Sequence, residues 1–138
     1  EPLAAAIQTF ETIATKRPGT IAVIGPGRLG ILIVFVAALR GDRVIAISRS
    51  SFKRERALNF GAMEACIPQE SQIAVQNLTQ GLGVDIAVDA TGSPEGLDLA
   101  LDLVRPRGTV AVKTTGSLPA KNIDITNIVV ENPYRRVL

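Results

Sequence analysis

The chain has 138 residues, of which 46% are apolar, and its 15 basic and 13 acidic residues give a net charge of +2. This size predicts one domain with a core of its own, and the small net charge does not indicate a nucleic-acid partner. The longest apolar stretch, residues 29–39, is shorter than the ~18 residues of a membrane span, so no membrane partner is expected. The single cysteine, Cys66, excludes an internal disulfide and a cysteine-rich zinc site, as is typical of proteins of the reducing cytoplasm.

Hydrophobic spacing, turn residues and helix caps predict alternating helices and strands in the first half of the chain. The predicted elements are a helix at 3–16, a strand at 21–24, a helix at 28–40, a strand at 44–48, a helix at 51–60 and a strand at 65–67. In the third helix we expect Ala57, Leu58 and Phe60 to face inward. Pro68 is expected to end the third strand.

The second half repeats this alternation. The predicted elements are a helix at 71–79, a strand at 84–88, a helix at 94–103, a strand at 109–113, a short segment near 125–130 and an edge strand at 135–138. Residues 105–108 are expected to form the turn before the fifth strand. Strands separated by helices of this length predict a parallel sheet with right-handed crossovers. We therefore expect one α/β domain over residues 1–138, a doubly wound Rossmann sheet of about six strands with helices on both faces.

A glycine motif joins the first strand to the second helix. Gly25-x-Gly27-x-x-Gly30 follows a buried strand and opens a helix, the setting in which it binds the pyrophosphate of a dinucleotide. Gly25 permits a sharp turn, Gly27 lets the backbone approach the pyrophosphate, and Gly30 lets helix and strand pack closely. The amides of Arg28 and Leu29 are expected to face the phosphates at the helix N-terminus. The Arg28 side chain is a further candidate contact; the alternative is that it projects into solvent or toward a neighbouring domain.

The residues after the second strand favour NADP over NAD. An NAD-binding unit usually carries Asp or Glu about 20 residues beyond the glycines, whereas this chain has Ser48 and Arg49. A serine can donate a hydrogen bond to the 2′-phosphate of NADP, and an arginine can hold that phosphate in a fork. Ser50 lies in the same turn, and Lys53 or Arg54 could add a second positive charge. The alternative is that these basic residues form a solvated helix face.

Five segments, taken together, carry a resemblance to one protein family. They are Glu1-Pro2-Leu3 before a helix, the glycine motif at 25–30, Ile-Ser-Arg-Ser-Ser-x-Lys-Arg at 47–54, the run at 83–92 that ends in Asp-Ala-Thr-Gly, and the run at 103–109. In order and spacing they resemble the coenzyme-binding domain of zinc-type medium-chain alcohol dehydrogenases, over nearly the whole chain. The tip of the second strand is most similar to the NADP-using cinnamyl-alcohol-type members. The opening is more similar to the polyol, threonine and glucose dehydrogenase branch.

The resemblance implies further binding residues. In the family, backbone after the fourth and fifth strands holds the nicotinamide end of the cofactor, which here means Ala90-Thr91-Gly92 and Thr114-Thr115-Gly116-Ser117. The alternative is that these segments are ordinary glycine-containing turns. Glu1 resembles a glutamate that lies at the catalytic zinc in some members. Asp89 is a candidate acid, although an aspartate at the tip of a buried strand more often caps the next turn.

The function that the resemblance implies is NADP binding within a zinc-dependent alcohol or polyol dehydrogenase, which transfers a hydride between an alcohol and a carbonyl. The chain has no histidine and one cysteine, so zinc and the proton relay are expected in a separate catalytic domain of a longer parent. The chain alone is expected to bind cofactor without turnover. The alternatives are a free-standing nucleotide-sensing Rossmann module and a domain of a zinc-free quinone reductase relative. A small alcohol or carbonyl substrate is expected in the parent, and a homodimer through residues 135–138.

Overall fold

A computed structural model describes residues 2–11, 18–113 and 136–137 of the chain. They form α1 (Pro2–Glu11), β1 (Thr20–Ile24), α2 (Arg28–Leu39), β2 (Arg43–Ile47), α3 (Ser51–Asn59), β3 (Glu64–Cys66), α4 (Pro68–Thr79), β4 (Val84–Asp89), α5 (Pro94–Leu103), β5 (Val104–Val112) and β6 (Arg136–Val137). Neighbouring strands are parallel, and their order across the sheet is β3-β2-β1-β4-β5-β6. The predicted doubly wound sheet is confirmed, and its strand order reverses between β1 and β4.

Side chains of the central strands alternate between two hydrophobic cores, one on each face of the sheet. Ile21 and Val23 of β1 pack in a core with α1, α2 and α3. Ala22 and Ile24 belong to the other core, with α4 and α5. Because helices cover both faces, a ligand can reach the sheet at the ends of its strands. No helix within the described ranges has both the length and the apolar character needed to cross a bilayer.

The start of α4 differs from the prediction. The helix begins at Pro68 instead of residue 71, with Ile67 as its N-cap residue. Proline is favoured at the first helical position because its fixed φ suits the helix and its missing amide would have no helical acceptor there. The predicted first helix, 3–16, is described as α1 to Glu11, and its predicted residues 12–16 lie outside the described part.

The predicted turn at 105–108 lies inside β5, as an irregularity in its pairing with β4. Val84 pairs with Val104, and the regular pairing resumes between Ile86 and Thr109. Between these two pairs, one residue of β4 opposes four residues of β5, and the extra residues of β5 bulge from the ladder. The predicted segment at 125–130 lies outside the described residues, while β6 falls within the predicted edge strand.

A charged network ties β1, β4 and β5 together where these strands begin. Asp85 accepts hydrogen bonds from the amide of Thr20 at 2.8 Å, from the Thr20 hydroxyl at 3.2 Å and from Nε of Arg105 at 2.6 Å. Partial burial by itself raises the pKa of Asp85, but the hydrogen bonds from Arg105 and Thr20 and the charge of Arg105 outweigh it. The pKa therefore lies below its usual 3.8.

We expect Asp85→Asn to lower the free energy of unfolding by about 1–2 kcal/mol at pH 7, because it removes the charge-assisted bond from Arg105. Solvent screening keeps this value low, since the two side chains are 34% and 27% exposed. The Asp85 carboxylate stabilises the fold at pH values above the pKa that it has in the unfolded chain. This stabilisation is lost as the pH falls through the lower pKa that it has in the folded chain. Urea denaturation of both chains measures the effect. If the difference in the free energy of unfolding between the wild type and Asp85→Asn did not shrink between pH 7 and pH 3, this account would be contradicted.

Candidate functional site

A cavity of about 500 Å³ opens at the carboxyl ends of β1, β2 and β4, beside the point where the strand order reverses. Many of the predicted cofactor-binding residues line it: Gly25, Gly27, Ser48, Arg49, Ser50, Lys53, Ala90 and Thr91. Arg28, Leu29, Gly30 and Gly92 lie in the same turns without lining the wall. The other predicted positions, Glu1 and 114–117, lie outside the described residues.

The cavity wall also includes residues that the sequence analysis missed. These are Ile24, Ile47, Pro68, Gln69, Ser93, Glu95, Gly96 and Leu99. Pro68 and Gln69 reach the wall because α4 starts three residues earlier than predicted, which brings its first turn to the strand ends. The signal that could have found them is proline itself, which is as typical of the first helical position as it is of a strand end.

The geometry of the glycine motif explains why two of its positions require glycine. Gly25 has a φ of +78°, and a Cβ there would lie 2.8 Å from Cγ2 of Thr91. A Cβ on Gly30 would overlap the carbonyl oxygen of Gly25, so a larger residue would push α2 away from the end of β1. At Gly27 the nearest atom would be 4.0 Å away, and this residue lines the cavity. The backbone is therefore open to a ligand at the middle glycine.

The first turn of α2 offers backbone donors beside the cavity. The first hydrogen bond of the helix joins the amide of Ile31 to the carbonyl of Gly27 at 2.9 Å. The amides of residues 28–30 precede this bond and so have no acceptor within the helix. Together with the positive end of the helix dipole they form an anion-binding position.

The tip of β2 is held by three hydrogen bonds to Ser48. Its amide donates to the carbonyl of Cys66 at 3.0 Å, and its carbonyl accepts from Nη1 of Arg54 at 2.8 Å. Its hydroxyl oxygen accepts from the amide of Ser50 at 3.2 Å. Because the hydroxyl acts as acceptor in that bond, its hydrogen remains available to donate to a ligand.

The predicted basic residues divide into two kinds. Arg49 and Lys53 are exposed and line the cavity. The amide of Lys53 donates a hydrogen bond to Oγ of Ser50, so Ser50 caps the N-terminus of α3. This cap holds the start of α3 beside the cavity. Arg54 is half-buried and donates to the Ser48 carbonyl. It therefore belongs to the support of the turn.

Asp89 organises the turn between β4 and α5. It is buried, and its carboxylate accepts from the amide of Thr91 at 2.9 Å and from the Thr91 hydroxyl at 2.6 Å. The amide of Ser93 donates to Oγ1 of Thr91, and the amide of Gly96 donates to Oγ of Ser93. Asp89 thus caps the turn, and the network holds Thr91 and Ser93 on the cavity wall.

Among residues 2–11, 18–113 and 136–137, no three His, Cys, Asp or Glu side chains lie together as a metal site requires. The zinc that the resemblance implies does not fit this part of the chain.

Burial and the nearby carboxylates of Glu64 and Glu70 raise the pKa of Cys66 to about 11. This thiol is therefore protonated at neutral pH and is a poor nucleophile.

Comparison with known proteins gives a consistent result. A family model described as zinc-binding dehydrogenase matches residues 29–134. L-Threonine 3-dehydrogenase of Pyrococcus abyssi is 33% identical over 135 residues, which cover 94% of this chain and 38% of that protein. NADP-dependent isopropanol dehydrogenase of Thermoanaerobacter brockii is 39% identical over 97 residues, which cover 67% of this chain and 27% of that protein. The chain thus spans well under half the length of these relatives.

Solved structures agree with the sequence comparison. A putative zinc-binding dehydrogenase from Sinorhizobium meliloti 1021, bound to NADP, superposes with a TM-score of 0.83 and 27% identity, covering 99% of this chain and 41% of that one. The family match extends over more than half of the chain and includes α2 from Leu29 onward and the residues at the tip of β2. The resemblance drawn from the motifs is therefore confirmed, and the chain belongs to the zinc-binding dehydrogenase family.

Proposed function

We propose that residues 1–138 form the NADP-binding domain of a zinc-dependent alcohol or polyol dehydrogenase. The observation that carries this proposal is the meeting of two anion-binding positions in one cavity. The first turn of α2 offers amides for a pyrophosphate, and Ser48 and Arg49 offer a hydroxyl and a guanidinium where the adenosine ribose lies in this fold. The Thermoanaerobacter relative is an NADP-dependent dehydrogenase and the Sinorhizobium structure is bound to NADP, which supports this cofactor.

The wall of the cavity suits the remaining parts of a dinucleotide. The partly exposed side chains of Pro68 and Leu99 provide apolar surface for a purine. The end of the cavity at Ala90-Thr91-Gly92 is proposed to receive the nicotinamide, together with the residues Thr114, Thr115 and Gly116. When bound, NADP supplies the hydride acceptor or donor, and the residues of this chain bind and orient it.

The chemistry of the whole enzyme is proposed to need residues outside this chain. Among the described residues, no three His, Cys, Asp or Glu side chains lie together to hold a zinc ion, which would polarise an alcohol or a carbonyl. In the longer parent, Glu1 is a candidate at the zinc, and the substrate is proposed to be a small alcohol or its carbonyl product. Zinc analysis of the longer protein would separate this proposal from a zinc-free quinone reductase relative.

Two further parts of the proposal concern assembly and location. Among the described residues the sheet ends in two edge strands, β3 and β6, and β6 lies beside β5. The edge of a sheet is a surface at which strands of two chains can pair. We therefore propose a homodimer through residues 135–138. The buried, protonated Cys66 suits a reducing compartment, and the cytoplasm is the proposed location.

We expect Arg49→Ala to weaken NADP binding by roughly tenfold to a hundredfold, because it removes a charge-assisted contact of about 1.5–3 kcal/mol to the 2′-phosphate. NAD lacks this phosphate, so its affinity serves as the internal control and is expected to change little. Isothermal titration calorimetry of both cofactors measures the effect. Unchanged NADP affinity would show that the Arg49 side chain remains solvated and does not contact the 2′-phosphate.

A further inference from the structure

Arg54 holds the peptide group that joins Ser48 to Arg49. The carbonyl of that peptide accepts a hydrogen bond from Nη1 of Arg54 at 2.8 Å. On the other side, the amide of Ser48 donates to the carbonyl of Cys66 in β3 at 3.0 Å. The backbone that leads into Arg49 is thus fixed from α3 and from β3 at once.

The environment of Arg54 suits a supporting role. Its side chain is half-buried against the turn, whereas the side chains of Arg49 and Lys53 are exposed and line the cavity. The guanidinium also lies close enough to Cys66 to lower the pKa of the thiol against the larger effect of burial. A charged donor that satisfies the Ser48 carbonyl also keeps this oxygen from facing an incoming phosphate.

We propose that Arg54 is a positioning residue for NADP selectivity: it orients the Ser48–Arg49 peptide so that the Ser48 hydroxyl and the Arg49 guanidinium converge on the 2′-phosphate. Arg54 acts through these residues and does not bind the phosphate. The inference rests on the proposed function. It differs from the sequence-based expectation, in which Arg54 supplied a second positive charge to the phosphate.

The first test is the ratio of the NADP and NAD affinities in Arg54→Gln. We expect the NADP dissociation constant to rise by about tenfold and that of NAD by less than about twofold. Arg56→Gln is the matched control, because it removes the same charge from the same helix, and Arg56 lies over the rings of Phe52 and Phe60 at 5.9 Å and 5.8 Å. Equal losses for the two cofactors, or equal effects of the two variants, would overturn the proposal.

A double-mutant cycle with Arg49→Ala separates positioning from direct binding. If Arg54 acts through Arg49, adding Arg54→Gln to Arg49→Ala costs little further NADP affinity. Fully additive losses would mean that Arg54 does not act through Arg49, and the inference would be wrong. Melting temperatures show whether each variant is folded, and Arg54→Met, which keeps the aliphatic stem, carries the same test if Arg54→Gln is unstable.

The outcome also distinguishes this inference from the proposed function. A wild-type chain that binds NAD as tightly as NADP contradicts the proposed function. A wild-type chain that prefers NADP, and keeps this preference in Arg54→Gln, contradicts the role of Arg54 alone.

Discussion

Gly30→Ala will lower the free energy of unfolding by about 2–3 kcal/mol, because the new Cβ overlaps a backbone atom that cannot turn aside. That atom is the carbonyl oxygen of Gly25, and the Gly25 carbonyl carbon lies 3.1 Å from the Cβ position. Relief requires α2 to move away from the end of β1. This movement displaces the amides of residues 28–30, each worth about 1.5–3 kcal/mol to a charged ligand, so NADP affinity is expected to fall by roughly a hundredfold.

Gly27→Ala is the matched control for this prediction. Its Cβ would meet no atom closer than 4.0 Å, so the loss of stability is expected to stay below about 1 kcal/mol. The methyl group would still stand where the backbone faces the cavity, and NADP affinity is expected to fall by about tenfold. Urea denaturation and cofactor titration of both variants measure the two effects. Equal destabilisation by the two substitutions would contradict the packing role assigned to Gly30.

Ser48→Asp will reverse the proposed preference for NADP over NAD. A carboxylate at the tip of β2 repels the 2′-phosphate and accepts hydrogen bonds from the free ribose hydroxyls of NAD. It can also accept the bond that the amide of Ser50 now donates to the Ser48 hydroxyl at 3.2 Å, so the turn is expected to keep its shape. We expect NADP affinity to fall by about a hundredfold and NAD affinity to rise severalfold.

Ser48→Ala separates the effect of the new negative charge in Ser48→Asp from the effect of losing the serine hydroxyl. This variant removes one neutral hydrogen bond, so the expected loss of NADP affinity is only about threefold to tenfold, with no gain for NAD. Titration of both cofactors into the two variants measures the contrast. If Ser48→Asp retained the preference for NADP, the adenosine ribose would not lie at the tip of β2 and the proposed pose would be wrong.

The sheet and the glycine motif could be predicted because their signals are local. Each predicted strand of the first half is a short apolar run between turn residues, and the predicted starts lie within one residue of Thr20, Arg43 and Glu64. Gly25 and Gly30 follow from a motif in which each glycine has a separate steric reason. The structure confirms those reasons with the contacts that a Cβ would make.

Other features depend on tertiary contacts that the sequence does not display. Leu58 and Phe60 were expected to face inward, but they are 48% and 37% exposed, and within α3 only Ala57 is buried. A short helix near the edge of a sheet turns only a narrow stripe toward the core, and hydrophobicity alone does not identify that stripe. The bond from Arg54 to the Ser48 carbonyl joins residues six apart, a spacing that no periodic pattern marks.

The central claim is that this chain binds NADP in preference to NAD, and calorimetric titration of the wild-type chain with both cofactors tests it most directly. The account predicts that NADP binds at least about tenfold more tightly, since the 2′-phosphate gains charge-assisted hydrogen bonds from Ser48 and Arg49. Equal affinities, or tighter binding of NAD, would contradict the account.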